Sequence, residues 1–177
     1  GGDGIKNPGQ RAVARQADLL GEADMAAPLP RASQALDGPV TCLVNNASVF
    51  EYDTLPSATR QGWDRHMDSN LRAPFVLTQA MAAQDLGVDT DPQGEPMARG
   101  LIVNMVDQRV RKLTPEFMTY TLAKMGLWAL TQTSARALAP AIRVNAIGPG
   151  PTLLAAGQPE DHFAKQRTST VLKRGSN

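Results

Sequence analysis

Cysteine is nearly absent from the chain: Cys42 is its single example. No internal disulfide and no cysteine-rich zinc site can therefore form within it. No sign of charge predominates, because Lys and Arg number 18 against 17 for Asp and Glu, a net charge of +1. That balance excludes the strongly basic footprint of a nucleic-acid binder and any polybasic membrane patch. No apolar run approaches the roughly 20 residues that span a bilayer. The opening residues, GGDGIKNPGQ, are turn chemistry without a basic-then-apolar pattern, so a cytoplasmic location is expected. Internal repeats and low-complexity tracts are missing too. What is present is 177 residues, 42% hydrophobic and 20% charged. This is the composition of a globular chain of about one domain.

The chain alternates between strand-like and helix-like segments. A short strand is expected near Ala12 to Gln16, ended by Asp18, then a helix over Pro28 to Leu36 stopped by Asp37-Gly38-Pro39. Val40 to Ala47, VTCLVNNA, is a continuous apolar run. Such a run predicts a strand buried on both faces, as in a parallel sheet. Thr59 to Asn70 predicts a helix and Leu71 to Leu86 a second or continuing one, with a break near Asn70 because Pro74 suits a first turn. A loop is expected over Asp89 to Gly100 and a buried strand over Leu101 to Val106. A long helix should open at Thr114-Pro115 and run to about Ala139. A third strand, Ala141 to Ile147, is stopped by Gly148-Pro149-Gly150-Pro151. A short helix near Pro159 to Arg167 completes the pattern. The whole predicts a parallel α/β sheet.

Tyr120 and Lys124 are the sharpest chemical feature. Four residues apart in a helix, they share one face. An ammonium about 4 Å from a phenol is worth about 4 kcal/mol at an effective dielectric near 20. That is enough to bring a tyrosine pKa of about 10 down by up to ~3 pH units, into the range of a working acid or base. Alone, the spacing also describes an ordinary helix with a solvated lysine.

The surroundings narrow the reading. The pair follows the strand LIVNMVDQ and precedes RVNAIGPG, an Asn45-Asn46-Ala47 turn ends an earlier strand, and Asn70 sits in HMDSNLRAPF. With these four motifs in this order, the chain from roughly Ala12 to Gly150 resembles the short-chain dehydrogenase/reductase family. The resemblance implies a Rossmann-type doubly wound parallel sheet and a nicotinamide cofactor. It also implies that Tyr120 gives a proton to the substrate as the nicotinamide delivers hydride. Lys124 would bind the nicotinamide ribose while tuning Tyr120, and Asn70 would hold a helix kink and the water of a proton relay. Asn46 and Ala47 would line the cofactor cleft at the carboxyl end of a strand. Asp18 would lie at the adenine end, and Pro149, Gly150 and Thr152 would approach the nicotinamide, where glycine lets the backbone come close. The ordinary alternatives are a helix-capping Asn70 and a plain turn at Gly150. Asn46-Ala47-Ser48 also spells a glycosylation sequon, which is discounted for want of a secretion signal.

One position departs from the family. Its usual serine, 13 residues before the tyrosine, is here Asp107. An ionised carboxylate only accepts hydrogen bonds. Asp107 is therefore either protonated through desolvation or serves otherwise, for example by receiving a substrate N–H; a strand-end cap is the plain alternative. Asn104-Met105-Val106-Asp107 is similar to the pteridine reductase branch, where an Asp partners the tyrosine. This implies a pterin-like small-molecule substrate, or else a simple carbonyl, and NADP as cofactor, with NAD still open.

The family's first two strands and its glycine-rich phosphate turn are expected to be absent from this sequence, since Gly1-Gly2-Asp3-Gly4 lacks a preceding strand. Its last strand is likewise expected to be absent from this sequence. The expectation is a single partial domain over 1–177, with 151–177 as a substrate lid, belonging to a longer enzyme. A non-catalytic scaffold relative is the alternative. The resemblance further implies a homodimer or homotetramer through helices 71–86 and 115–139, the second carrying more apolar surface than one core stripe needs.

Overall fold

The computed structural model describes residues 12–152 and 160–174. Three strands, β1 (Cys42–Asn45), β4 (Gly100–Met105) and β5 (Ile142–Ile147), form a parallel sheet in the order β1-β4-β5. The register pairs Cys42 with Leu101 and Asn45 with Asn104, then Gly100 with Ile142 and Met105 with Ile147. All three strands therefore finish at one edge, the edge at which open α/β sheets bind ligands.

Helices cover one face of that sheet. They are α2 (Pro28–Leu36), α4 (Ala73–Ala82) and α5 (Met118–Ala137), with α1 (Glu22–Ala26) packed on α2 and α4 and α3 (Arg60–Met67) on α5; α6 (Glu160–Thr168) comes after β5 in the chain. The core joins Leu29, Met81, Leu86, Ile102, Ile142 and Val144. Each such side chain removed from water contributes roughly 1.5–3 kcal/mol. Gly100 is buried between Leu86 and Ile142, where a Cβ would come within 2.8 Å of Ile142 Cγ1.

A buried polar seam ties the layers together beside this core. Asn45 Nδ2 donates to Asn104 Oδ1 at 2.8 Å, and Asn104 Nδ2 donates to Thr131 Oγ1 at 2.9 Å. Thr131 in turn donates to the Leu127 carbonyl at 2.8 Å. Buried amides need such partners, and here the partners lock β1, β4 and α5 into one register.

Several elements depart from the sequence reading. Ala12 to Gln16 forms no strand and is exposed; a strand needs a ladder partner, and β1 offers none of its backbone to this segment. β1 is not buried on both faces, since Cys42 is exposed and Val44 is 54% exposed. Strand side chains alternate, and among the described residues helices pack on only one side. The expected loop over 89–100 contains a hairpin of β2 (Val88–Thr90) and β3 (Pro96–Ala98), turned at Gly94 with φ +87°. The expected helix from Thr114-Pro115 begins only at Met118, because Phe117 adopts a left-handed φ of 55° and its N–H donates to the Asp53 carbonyl at 2.8 Å.

The break expected near Asn70 is a widening rather than an interruption. Residues Asp68–Arg72 form a π-helical turn linking α3 to α4, with Pro74 in the first turn of α4. Such turns are frequent at functional sites. α2 matches its expected bounds, closed by Asp37 in the left-handed region. Part of the expected lid segment, 153–159 and 175–177, lies outside the described residues, as do residues 1–11.

Candidate active site

Tyr120 lies in the second residue pair of α5 and is 5% exposed. Its hydroxyl donates to Asp107 Oδ2 at 3.0 Å. The other oxygen, Asp107 Oδ1, accepts the Arg109 backbone N–H at 2.8 Å and lies 3.7 Å from Arg109 Nη1. Asp107 thus caps the short 3-10 turn Gln108–Val110 and accepts from the tyrosine at once. The plain capping alternative and the functional one coexist, because the two oxygens are used separately. Both act as acceptors, as an ionised carboxylate must.

Lys124 is one helical turn further on, 3% exposed. Its Nζ donates to the Met105 carbonyl at 2.8 Å and sits 5.7 Å from the Tyr120 ring centroid. One of three ammonium donors is spent; the other two have no hydrogen-bond partner among the described residues. Burial lowers the Lys124 pKa to about 8, against a pull upward from Asp107.

The expectation that Lys124 acidifies the phenol is overturned. The Tyr120 pKa is raised well above its usual 10, first by burial and then by the charge and hydrogen bond of Asp107; Arg109 and a hydrogen bond with Ser48 pull weakly the other way. The reason is geometric. The ammonium is drawn to the end of β4 and faces the ring, while the group touching the hydroxyl is a carboxylate. The phenol is held protonated.

Asn70, wholly buried in the π-turn, spends its side chain on one partner: Oδ1 accepts from the Val49 N–H at 2.9 Å and Nδ2 donates to the Val49 carbonyl at 2.8 Å. This two-way clasp holds the segment leaving β1. Asn46 and Ala47 are exposed just beyond that strand, and Pro149, Gly150 and Thr152 follow β5, where Gly150 has open space where a side chain would stand. The β5 exit lies against Asp107, since a Cβ on Gly148 would be 3.6 Å from the Asp107 carbonyl oxygen. Asp18 is exposed in the turn before α1, where Oδ1 accepts the Leu20 N–H at 3.0 Å. It takes no part in the Tyr120 cluster.

An aromatic wall borders the cluster, and the sequence reading did not include it. Phe50 stacks on Phe117 with centroids 4.4 Å apart and planes at 6°, and meets the Tyr120 ring edge-on at 4.8 Å. The Arg109 guanidinium lies over Phe117 at 4.7 Å. Phe50 has a signal in hindsight: a large aromatic, 45% exposed, five residues past a strand end at the ligand edge. Arg109 follows Asp107 by two. Phe117 has no local signal, since its left-handed backbone depends on Asp53.

A family model for the short chain dehydrogenase matches residues 3–163. The chain belongs to the short-chain dehydrogenase family. Its three parallel strands are part of that family's Rossmann-type α/β sheet. Among solved structures, FolM alternative dihydrofolate reductase 1 from Brucella suis, in complex with NADP, is 43% identical with a TM-score of 0.79, over 91% of this chain and 60% of that one. Among curated relatives, the probable galactose dehydrogenase GalD of Rhizobium meliloti is 33% identical over 90% of this chain and 60% of its own. Human L-xylulose reductase is 34% identical over 77% and 53%. The chain spans about half to three-fifths of the length of these short-chain dehydrogenases. Among its described residues, no helix is long and apolar enough to cross a membrane, and no acidic, histidine or cysteine cluster fits a metal ion.

Proposed function

We propose that this chain carries the catalytic part of an NADPH-dependent reductase acting on a pterin-like or carbonyl substrate. The observation that carries the reading is the Tyr120 hydroxyl donating to Asp107 with Lys124 one turn below. Tyr120, Asp107 and Lys124 are the proposed catalytic residues. The solved relative named a dihydrofolate reductase and complexed with NADP supports both the cofactor and the substrate class.

The residues present suit the nicotinamide end of that cofactor. Lys124 has two N–H donors to offer ribose hydroxyls, the exposed Asn46 and Ala47 sit at the strand ends, and the open space at Gly150 admits close approach. Pro149 and Thr152 would complete that side, with Asp18 at the adenine end. A bound nicotinamide supplies the hydride. Tyr120, held protonated by burial and Asp107, supplies the proton as the substrate is reduced. Asp107 orients the phenol and is itself an acceptor suited to an N–H of a pterin ring. Phe50, edge-on to Tyr120 and partly exposed, offers a face on which a flat heterocycle stacks. Asn70, which clasps Val49 with both side-chain polar atoms, is the residue proposed to hold the helix kink and the water of a proton relay.

The whole protein is read as a cytoplasmic homodimer or homotetramer. Phe75 on α4 and Leu122 on α5 are 46% and 44% exposed, apolar surface on the two helices expected to form that contact.

The test is NADPH oxidation with a pterin substrate in the full-length protein, comparing the native enzyme with Tyr120→Phe. Loss of a positioned proton donor should lower kcat by about 10²–10⁴-fold. An unchanged rate would reject the enzymatic reading in favour of a scaffold that keeps only the fold.

A further inference from the structure

Behind Tyr120, away from Asp107, three buried polar side chains have no part in the chemistry above. Asp53, in the segment after β1, is 7% exposed; His66, in α3, is 1%; Thr119, in the first turn of α5, is 2%. They form one hydrogen-bonded chain. His66 Nε2 lies 3.1 Å from the Glu51 backbone nitrogen, and His66 Nδ1 lies 2.7 Å from Thr119 Oγ1. Thr119 Oγ1 donates to Asp53 Oδ2, and the Thr119 N–H donates to Asp53 Oδ1 at 3.2 Å.

The direction of this chain is forced. A backbone N–H can only donate, so His66 Nε2 is the acceptor and the ring proton resides on Nδ1. Nδ1–H then donates to Thr119, whose hydroxyl hydrogen is left for the carboxylate. Every member is satisfied in one arrangement alone, and a buried network in that condition rigidifies what it joins.

What it joins is specific. Both ends lie in one short segment, at Glu51 and Asp53, while the middle members lie on α3 and α5. The loop is closed onto the start of α5 at the residue preceding Tyr120. Asp53 also accepts the Phe117 N–H through its backbone carbonyl, which sets Phe117 in its left-handed conformation. Phe50, adjacent to Glu51, is thereby stacked on Phe117 and set edge-on to Tyr120. The His66 ring itself meets the Tyr120 ring edge-on at 6.0 Å.

We infer that Asp53, Thr119 and His66 act together as positioning residues, holding the Phe50–Phe117 wall edge-on to the Tyr120 ring and so shaping the substrate side of the site. The inference rests on the reductase reading for its functional meaning but not for its geometry. Thr119 is the informative position, because its hydroxyl accepts from His66 and donates to Asp53 and, among the described residues, makes no hydrogen bond outside that chain.

The experiment pairs Thr119→Val with Thr119→Ser in the full-length protein. The first readout is nuclear Overhauser contact between the Phe50 and Phe117 rings. It should vanish or weaken strongly in the valine variant and persist in the serine variant, with the fold retained in both. Contact kept in the valine variant, or lost equally in both, overturns the inference. The second readout is kinetic: the valine variant should raise KM for the pterin substrate by about tenfold, the scale of one buried hydrogen bond lost. NADPH affinity should stay unchanged, and the serine variant should restore KM. A fall in Tm with an unmoved KM would mark a merely structural role and reject the positioning. Should the valine variant fail to fold, the nitrogen shifts of His66 in the native protein decide. A proton on Nε2 contradicts the clamp and one on Nδ1 supports it. If the native protein oxidises no NADPH while the ring contacts respond as described, the reductase reading fails and the clamp stands.

Discussion

The Tyr120 hydroxyl and the Asp107 carboxylate meet at 3.0 Å with the tyrosine as donor. A serine at position 107 would offer its own hydrogen to the reacting oxygen; a carboxylate takes the tyrosine's. That reversal adds to burial, the larger cause, in keeping the phenol protonated.

Replacing Asp107 by Asn removes the negative charge and weakens the hydrogen bond, the second and third causes of the raised pKa. Burial remains. The Tyr120 deprotonation midpoint should therefore fall relative to the native protein. Tyrosinate absorbance, taken as the difference from Tyr120→Phe across alkaline pH, measures it. An unchanged midpoint would mean that burial alone raises it.

Lys124 should make stability depend on pH in the alkaline range. Its pKa falls from 10.5 to about 8 on folding. Between those values the unfolded chain holds a proton that the folded chain has released. This group's contribution is thus full above 10.5 and is lost as pH falls towards 8. Lys124→Met removes that slope. Urea midpoints at the two ends of the window, compared between native and variant, should differ in their pH dependence by an amount equivalent to a few kcal/mol.

Gly100→Ala should destabilise without touching the site. The new methyl would stand 2.8 Å from Ile142 Cγ1 and 2.9 Å from Leu86 Cδ1, both on buried side chains. Ile142 is branched at Cβ and held in β5, so the strain passes to the sheet. Overpacking of this kind costs about 1–3 kcal/mol. Thermal unfolding should show the loss, with Tyr120 titration unaltered. A stability equal to the native protein's would mean that Leu86, outside any helix or strand, moves aside freely.

Local pattern carried much of the architecture. The apolar runs around Leu43, Ile102 and Val144 read as strands because each is short, β-branched and bounded by turn residues, and the three pair side by side. α2 was legible to the residue because Pro28 opens it and Asp37-Gly38 closes it. The change near Asn70 was legible as an irregularity, although its π-helical form was not. At the site, spacing alone put Tyr120 and Lys124 on one helix face, and the count of thirteen residues singled out Asp107.

Other features depended on groups distant in sequence. No local pattern links His66 to Thr119, 53 residues away, or Asp53 to Thr119, 66 away; their bonds arise only when α3 and α5 pack together. Burial of α5 beside the end of β4 decided the sign of the tyrosine shift. Sequence spacing measured Lys124 against Tyr120 along one helix, and it contained nothing about the Met105 carbonyl that takes the ammonium or the Asp107 oxygen that meets the hydroxyl. The sequence by itself determined which groups are present, their periodicity and hence the strands, helices and family. The tertiary structure decided which charge stands nearest the phenol, because electrostatic and hydrogen-bond energies follow distance in space and burial from water, neither of which the order of residues encodes.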